Sequence, residues 1–454
     1  MRVGCDGACH AGPTVTIRTP DGRAHRVERA DNAGVRSALS AMRGPAELSQ
    51  VESPAARRVL RNCGVIDPEN LDEALAAGAY LGLERALAMT PEDVVALVRA
   101  AGLRGRGGAY FPTATKWEAA RAFSGPRSLV VNAEEGEPGV LKDRHLMEGD
   151  PHALVEGALI AAYAVGAERI DLYVNGQAAL AFARVARAMA DARAAGLVGA
   201  DVLGSGFTCA IELYRGAGGY VCGEESVILN SIEGERAVPR LRPPFPTEAG
   251  LWGRPTVINN VETLVNLPLI LTEGVDWFRA LGTADFPGTK LMSVSGAVAR
   301  PGLIEAPLGI SVGAVLATAG GAQPGHTLTA AVVGGPSGGL LPASLFDLPL
   351  VGGMLHPSGP VLGAGGIVAL DERTSVAAAL RELTAYNRAE SCGKCTPCRE
   401  GTARALDMLD AGAALTAADR RALLDLCDVM QTASLCGLGQ MAPGPIRSAL
   451  TLFP

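Results

Sequence analysis

Residues 128–176 read SLVVNAEEGEPGVLKDRHLMEGDPHALVEGALIAAYAVGAERIDLYVNG, and the order of textures in this stretch decides the fold. SLVV is a short apolar run that ends in the polar AEEGEPG. PHALVEGALIAAYAVGA has the length and composition of a helix, and IDLYVNG then repeats the apolar run with a polar end. Strand, helix and strand in this order form a βαβ unit, which implies a mostly parallel sheet. Such sheets bind ligands where their strands finish, at the carboxyl edge. AEEGEPG lies at such a point.

Outward from this unit, strands and helices are expected to alternate over 102 to about 280. Upstream, 67–101 reads as helical, with Asp67-Pro68 and Thr90-Pro91 as helix starts. RGPAELSQVESPAARR before it reads as a linker. Residues 1–50 read as a small α/β piece with a hairpin in TVTIRTPDGRAHRVE, turning at Asp21-Gly22. Downstream, 288–370 changes to short β-like runs (KLMSVSGAV, TLTAAVVGG, GGIVAL) between Gly/Pro turns, which predicts a separate β-rich domain. From 371 onward SVAAALRELTAYNRAE and TARALDMLDAGAALTAADRRALLDLCDVMQ are helical.

The 454 residues suffice for two to four domains, and 48% hydrophobic residues suffice for real cores. Lys plus Arg is 40 against 47 for Asp plus Glu, a net charge of -7. That argues against a general nucleic-acid binder but leaves room for a single anion site. No apolar run approaches the roughly 18 residues of a membrane span. MRVGCDGACHAGP lacks the long apolar stretch of a secretory signal. The expectation is a soluble cytoplasmic protein without direct membrane contact.

Of the 10 cysteines, Cys392, Cys395 and Cys398 form a C-x2-C-x2-C run. Clustered cysteines in a cytosolic chain of this size read as metal ligands before disulfides. Thiolates three residues apart can converge on one corner of a [4Fe–4S] cluster, which needs four. Cys436, among small neighbours in SLCGLG, is the expected fourth. Cys427, in the apolar LLDLCDVM, is the competitor, but a cysteine in such a context usually acts as a small hydrophobe. Spacing alone also leaves a structural zinc site open.

Three further stretches carry chemistry. In GLRGRGGAYFPTATKW, 102–117, glycines allow close backbone approach, and Arg or Lys can hold phosphate; many such loops are only turns. In Asn132-Ala-Glu134-Glu135-Gly-Glu137 three carboxylates crowd four residues. That makes sense if they accept hydrogen bonds from sugar-like hydroxyls or ring N–H groups, although a solvated acidic loop is the ordinary reading. GAGGYVCGEES, 216–226, repeats this logic. It is followed by PRLRPPFP, where Arg242 could meet phosphate and Phe245 could stack on a flat ring. Asn259-Asn260 also read as ordinary turn residues.

GLRGRGGAYFPTATKW, VNAEEGEPGVLKDR, GAGGYVCGEESVILNSIEG, PRLRPPFP, TVINNVET and ESCGKCTPCREGT match in order the motifs of one family, over roughly residues 58–445. The chain resembles the NADH-binding flavoprotein (51-kDa) subunit of respiratory complex I. Within that family it is similar in style above all to the soluble relatives, the diaphorase subunits of NAD-reducing hydrogenases and NAD-dependent formate dehydrogenases. The resemblance implies an α/β chain in four parts. These are a partial thioredoxin-like extension (1–50), a Rossmann-like FMN and NAD(H) domain (51–285), a ubiquitin-like β-grasp domain (286–370) and a helical bundle with a [4Fe–4S] cluster (371–454).

By the same resemblance FMN lies against Gly105, Arg106, Gly107 and Lys116, and Asn132, Glu134 and Glu135 hold its ribityl chain and ring edge. Tyr220, Gly223, Glu224, Ile258, Asn259, Asn260 and Thr263 complete the pocket. NAD(H) stacks on the flavin with Phe111 and Phe245 near the adenine, Arg242 at its phosphates, and Glu137 and Glu225 at its ribose or nicotinamide end. Gly437 and Leu438 lie between cluster and flavin. The implied reaction passes a hydride between NAD(H) and FMN, and single electrons leave through the cluster. The implied partners are a [2Fe–2S] subunit of the 24-kDa type and a larger iron–sulfur or catalytic subunit.

Several positions depart from the family pattern. Tyr110 and Ala114 stand where glycines are usual, Glu134 where an aspartate is, and Ala119 where many relatives have phenylalanine. Tyr110 is expected to narrow or line the dinucleotide site. Cys5 and Cys9 resemble half of a thioredoxin-like [2Fe–2S] domain, read as a remnant without a cluster. The readings carried forward are a soluble diaphorase subunit, the same subunit in membrane-bound complex I, and a zinc-stabilised nucleotide-binding scaffold.

Overall fold

The computed structural model describes residues 57–410 and 415–453, together with a hairpin of β1 (Val15–Arg18) and β2 (Ala24–Val27) that pair antiparallel. The linker reading and the Cys5 and Cys9 readings fall outside the described residues. Helices Leu71–Ala76, Leu81–Leu87 and Pro91–Ala101 fill the expected helical region. Thr90 caps the last by accepting the Asp93 N–H, as its Thr-Pro start suggests. Asp67-Pro68 does not start a helix. Asn70 does so instead, its side chain accepting the N–H groups of Asp72 and Glu73.

Four parallel strands form the first sheet in the order β5-β4-β3-β6, namely β3 (Arg127–Ala133), β4 (Ala167–Val174), β5 (Ala210–Arg215) and β6 (Thr256–Asn260). Central β3 is buried on both faces, which is why SLVV reads as a continuous apolar run rather than an alternating one. One face packs on the helices of 71–101 and on Pro151–Val165, with Leu129, Val131, Leu159 and Trp117 in the core. The other packs Val130, Tyr173 and Ile258 against Val227, Ile228 and Leu229 of the helix Glu225–Ile232.

The second sheet has five strands in the order β10-β9-β11-β7-β8. They are β7 (Thr289–Gly296), β8 (Gly302–Pro307), β9 (Leu328–Val333), β10 (Gly339–Pro342) and β11 (Gly366–Asp371). β11 and β7 pair in parallel and the other neighbours are antiparallel. One face of this sheet buries Met292, Val294 and Ile367 with Val312, Val315 and Leu316 of the helix Val312–Thr318. The other buries Val332, Leu340 and Leu370 against Leu380, Ala405, Leu423 and Ile446 of the C-terminal helices. Those helices are Val376–Ala389, Thr396–Asp410, Ala417–Ala433, Gly437–Met441 and Gly444–Leu452.

Candidate active site

Every acidic and glycine motif collects at the carboxyl edge of the first sheet. Glu134 to Glu137 follow β3, Asn175 follows β4, Gly216 to Tyr220 follow β5, and Asn260 ends β6. A parallel sheet brings these ends together because all its strands point the same way. Asn132 Nδ2 donates to the Gly223 carbonyl at 2.9 Å, which ties the end of β3 to the short 3₁₀ turn Tyr220–Gly223. Glu134 Oε1 accepts from Asn175 Nδ2 at 2.5 Å, while Glu134 Oε2 is buried with no partner among the described residues. Burial pushes this carboxyl up to about 7. A Cβ on Gly216 would lie 2.5 Å from Glu134 Oε2, so only glycine fits there.

Glu137 Oε1 is likewise buried without a partner, and burial raises its carboxyl to about 8 although Lys142 opposes the shift. It sits against Gly335, between β9 and β10, and Gly366, the first residue of β11. Two orphaned, buried carboxylate oxygens are costly, about 1–3 kcal/mol each. They fit ligands that bring hydroxyl or N–H donors, as a ribityl chain and a dinucleotide ribose do.

Glu135 is engaged differently from the sequence expectation. Its two oxygens accept the N–H groups of Asp143 and Arg144, both at 2.9 Å, at the start of the helix Lys142–Gly149. A carboxylate at a helix N-terminus satisfies otherwise orphaned donors, so Glu135 braces the loop.

The glycine-rich loop closes on itself through Gly105 N–H to the Phe111 carbonyl at 2.9 Å. Arg106 corrects the phosphate-binding expectation for its side chain. The fully buried guanidinium donates to the carbonyls of Thr289, Arg104 and Pro287, and so ties the loop to β7. The Arg106 backbone N–H donates to Thr263 Oγ1 at 2.8 Å. Tyr110 is also corrected. It is 3% exposed, within the second sheet's core, and its hydroxyl donates to the Gly363 carbonyl at 3.2 Å. Its φ of +54° is the left-handed conformation that glycine adopts freely, so the backbone keeps a glycine-like shape while the ring turns away from the pocket. Ala114 is buried in the first core and Ala119 is exposed.

At the pocket edge, Lys116 Nζ donates to the Ile258 carbonyl at 3.1 Å and lies 3.4 Å from Glu225 Oε1. Glu224 caps the helix Glu225–Ile232 and pairs with Arg242. Asn259 Oδ1 accepts from Trp117 Nε1 at 2.9 Å, so this side chain is a peg into the core rather than a free ligand group. Phe111 and Phe245 are 49% and 55% exposed, unusual for aromatic rings and suited to stacking.

The second centre is a space lined by Cys392, Cys395, Cys398 and Cys436, with Ser391, Val221, Pro239 and Leu438. Cys427 is elsewhere, buried in the core between the second sheet and the C-terminal helices, and burial pushes its thiol up to about 12. Four sulfurs around one apolar space fit an iron–sulfur cubane. Arg236 donates to the Cys392 carbonyl and Arg399 to the Gly393 carbonyl, placing positive charge beside an anionic thiolate set. Leu438 and Tyr220 pack with Cys398 and Cys436, and Gly437 begins the helix that carries Leu438.

Residues 98–269 match the family described as the Nuo51 FMN-binding domain, 378–454 the NADH-ubiquinone oxidoreductase-F iron-sulfur binding region, and 291–341 the SLBB domain. The NADP-reducing hydrogenase subunit HndC of Solidesulfovibrio fructosivorans is 43% identical over 406 residues, 88% of this chain and 83% of its own. One NADH-quinone oxidoreductase subunit of Mycobacterium bovis is 46% identical over 382 residues, 82% of this chain and 86% of its own. The chain belongs to this family of flavoprotein subunits. A crystal structure of an NAD+-reducing [NiFe]-hydrogenase in its H2-reduced state superposes with a TM-score of 0.73 at 34% identity, covering 96% of this chain and 77% of that one. The chain is thus an NAD(P)H-dependent flavin and iron–sulfur oxidoreductase subunit that uses FMN, a [4Fe–4S] cluster and NAD(H), with the α/β, β-grasp and helical architecture expected. The zinc scaffold reading falls with that membership.

Sequence reading missed the residues that hold the site from other elements. Asn175 follows the strand run IDLYV, and Glu390 accepts the Tyr220 N–H at 2.9 Å from the far end of a helix. Lys290 begins the apolar strand LMSV; a lone lysine beside such a run was the available signal.

Proposed function

We propose that this chain is the diaphorase subunit of a soluble multisubunit complex of the hydrogenase or formate dehydrogenase type, exchanging a hydride with NAD(H) and single electrons with a neighbouring subunit. The observation that carries the electron path is the turn Tyr220–Gly223. Its Gly223 carbonyl meets Asn132 in the flavin pocket, while its Val221 lines the four-cysteine space. One short turn is therefore a wall shared by both centres. Bound FMN supplies two-electron to one-electron conversion. The chain's residues supply position. Lys116 and Glu225 flank the ring face, Asn132 and Glu134 receive the ribityl side, and Glu137 and Arg242 meet the dinucleotide. Phe111 and Phe245 offer stacking faces, and Cys392, Cys395, Cys398 and Cys436 hold the cluster.

Likeness to hydrogenase subunits over most of the chain supports the soluble reading. The relatives from NADH-quinone oxidoreductases support the complex I alternative. Among the described residues no helix is long and apolar enough to cross a membrane. The proposed setting is the cytoplasm, with a [2Fe–2S] subunit of the 24-kDa type and a larger iron–sulfur or catalytic subunit as partners. Mass spectrometry of the complex purified from its native source tests this. A nickel, molybdenum or tungsten subunit is expected, and a quinone-reducing membrane arm would overturn the soluble assignment.

A further inference from the structure

A chain of buried charge joins the second sheet to the flavin pocket. Lys290, at the start of β7, is fully buried; its ammonium donates to Glu262 Oε2 at 2.5 Å and to the Leu291 carbonyl at 2.9 Å. Glu262 Oε1 accepts the Leu291 N–H at 2.8 Å. Lys142 Nζ lies 3.4 Å from the same Glu262 Oε2 but only 2.6 Å from Asp143 Oδ2. Asp143 Oδ1 accepts the Glu262 N–H at 3.1 Å, and Oδ2 accepts Asn260 Nδ2 at 2.7 Å. All four charged side chains are buried, and two cations balance two anions. An unbalanced charge in such a place is costly, so each member fixes its neighbour.

Asn260 ends this chain. A side-chain amide has two N–H donors and one oxygen acceptor. Here one N–H is given to Asp143, while Oδ1 accepts the Thr263 N–H at 3.4 Å. The amide's orientation is thereby set, with one N–H left to give. A Cβ on Gly107 would lie 3.1 Å from Asn260 Cβ, so the side chain is also pressed against the glycine-rich loop.

We propose that Lys290 is a positioning residue for flavin binding: it occupies Glu262, which leaves Lys142 to Asp143, and Asp143 then holds Asn260 in the orientation that meets FMN. The proposal rests on the reading that Asn260 contacts FMN. Without the Lys290 ammonium, Glu262 draws Lys142 across their 3.4 Å separation. Asp143 loses its cation and Asn260 its fixed amide. The second sheet thus tunes the pocket through a residue of β7.

The test is FMN titration into flavin-stripped full-length chain, read by flavin fluorescence quenching, as a double-mutant cycle. Asn260→Ala should weaken binding about tenfold, or about 1.4 kcal/mol; unchanged affinity there removes the contact reading and the proposal with it. Lys290→Met should weaken binding about tenfold in the native background and less than about twofold on top of Asn260→Ala. Equal weakening in both backgrounds overturns the relay while leaving the Asn260 contact standing. The paired variant Lys290→Met/Glu262→Gln removes one charge of each sign and keeps Lys142 on Asp143. It should bind FMN within about threefold of the native chain, and this near-native affinity is the readout should Lys290→Met alone fail to fold. Affinity as poor as that of Asn260→Ala in the paired variant overturns the proposal.

Discussion

Tyr110→Gly restores the residue usual in the family, and it should nevertheless destabilise this chain. Tyr110 is 3% exposed, its ring meets Phe286 edge-on with centroids 6.2 Å apart, and its hydroxyl donates to the Gly363 carbonyl. Removing a buried aromatic side chain costs about 3–5 kcal/mol. The 3.2 Å hydrogen bond adds about 0.5 kcal/mol, the low end of the usual range. Against this, glycine relieves about 1–2 kcal/mol of left-handed backbone strain at φ +54°. The balance is a loss of about 1.5–4.5 kcal/mol. Urea unfolding of the full chain, with Tyr110→Phe and Tyr110→Ala beside it, separates the contributions. Tyr110→Phe should lose about 0.5 kcal/mol. Tyr110→Ala should be about 1 kcal/mol less stable than Tyr110→Gly, because alanine keeps the strain. Because Tyr110 holds the loop that presents Phe111, KM for NADH should rise in Tyr110→Gly. Stability of Tyr110→Gly equal to the native chain would refute the burial argument, and Tyr110→Ala more stable than Tyr110→Gly would refute the strain argument.

Cys436→Ala should let NADH bleach the flavin while blocking reduction of a one-electron acceptor, measured by stopped-flow absorbance; the same phenotype from Cys427→Ala instead would sink the ligand assignment. Glu225→Gln should raise the flavin midpoint potential, because a nearby carboxylate disfavours anionic reduced flavin, and a redox titration showing no change counts against it. Burial raises Glu134 to about 7 and Glu137 to about 8 from an ordinary 4.5, so folding favours their protonated forms. Their contribution is full below about 4.5 and lost as pH rises through about 7 to 8. Denaturation midpoints of the flavin-free chain should therefore fall across that window, and Glu137→Gln should flatten the fall; an identical pH profile for the variant would contradict the burial. Phe245→Ala should raise KM for NADH several-fold without altering FMN content, and an unchanged KM would remove Phe245 from the dinucleotide site.

Much of the site was legible because its chemistry lies in contiguous motifs. The cysteine run, the acidic loop after β3 and the exposed aromatic rings at Phe111 and Phe245 can each be found by reading along the chain. Roles that depend on side-chain direction were not legible. Arg106 and Lys116 sit in the same glycine-rich stretch, yet one guanidinium is buried under the Thr289 and Pro287 carbonyls while the other cation meets Glu225. Glu134 and Glu135 are adjacent, yet one keeps an unpartnered oxygen and the other caps a helix. Adjacent residues on an extended segment point opposite ways, and which way serves the ligand is set by what packs on each side.

The sequence by itself determined the βαβ grammar, the separate β-rich and helical regions, the cysteine triad and the family. These follow from local periodicity and motif order, which need no knowledge of distant contacts. Only the tertiary structure decided three matters. It brought Cys436 rather than Cys427 beside the triad, turned Tyr110 into the second core, and strung Lys290, Glu262, Lys142 and Asp143 into one buried chain ending at Asn260. Each is a pairing between residues far apart in sequence, set by how sheets and helices pack. A buried charge or aromatic ring is stable only where the fold supplies its partner, and that partner cannot be read from the residues on either side of it.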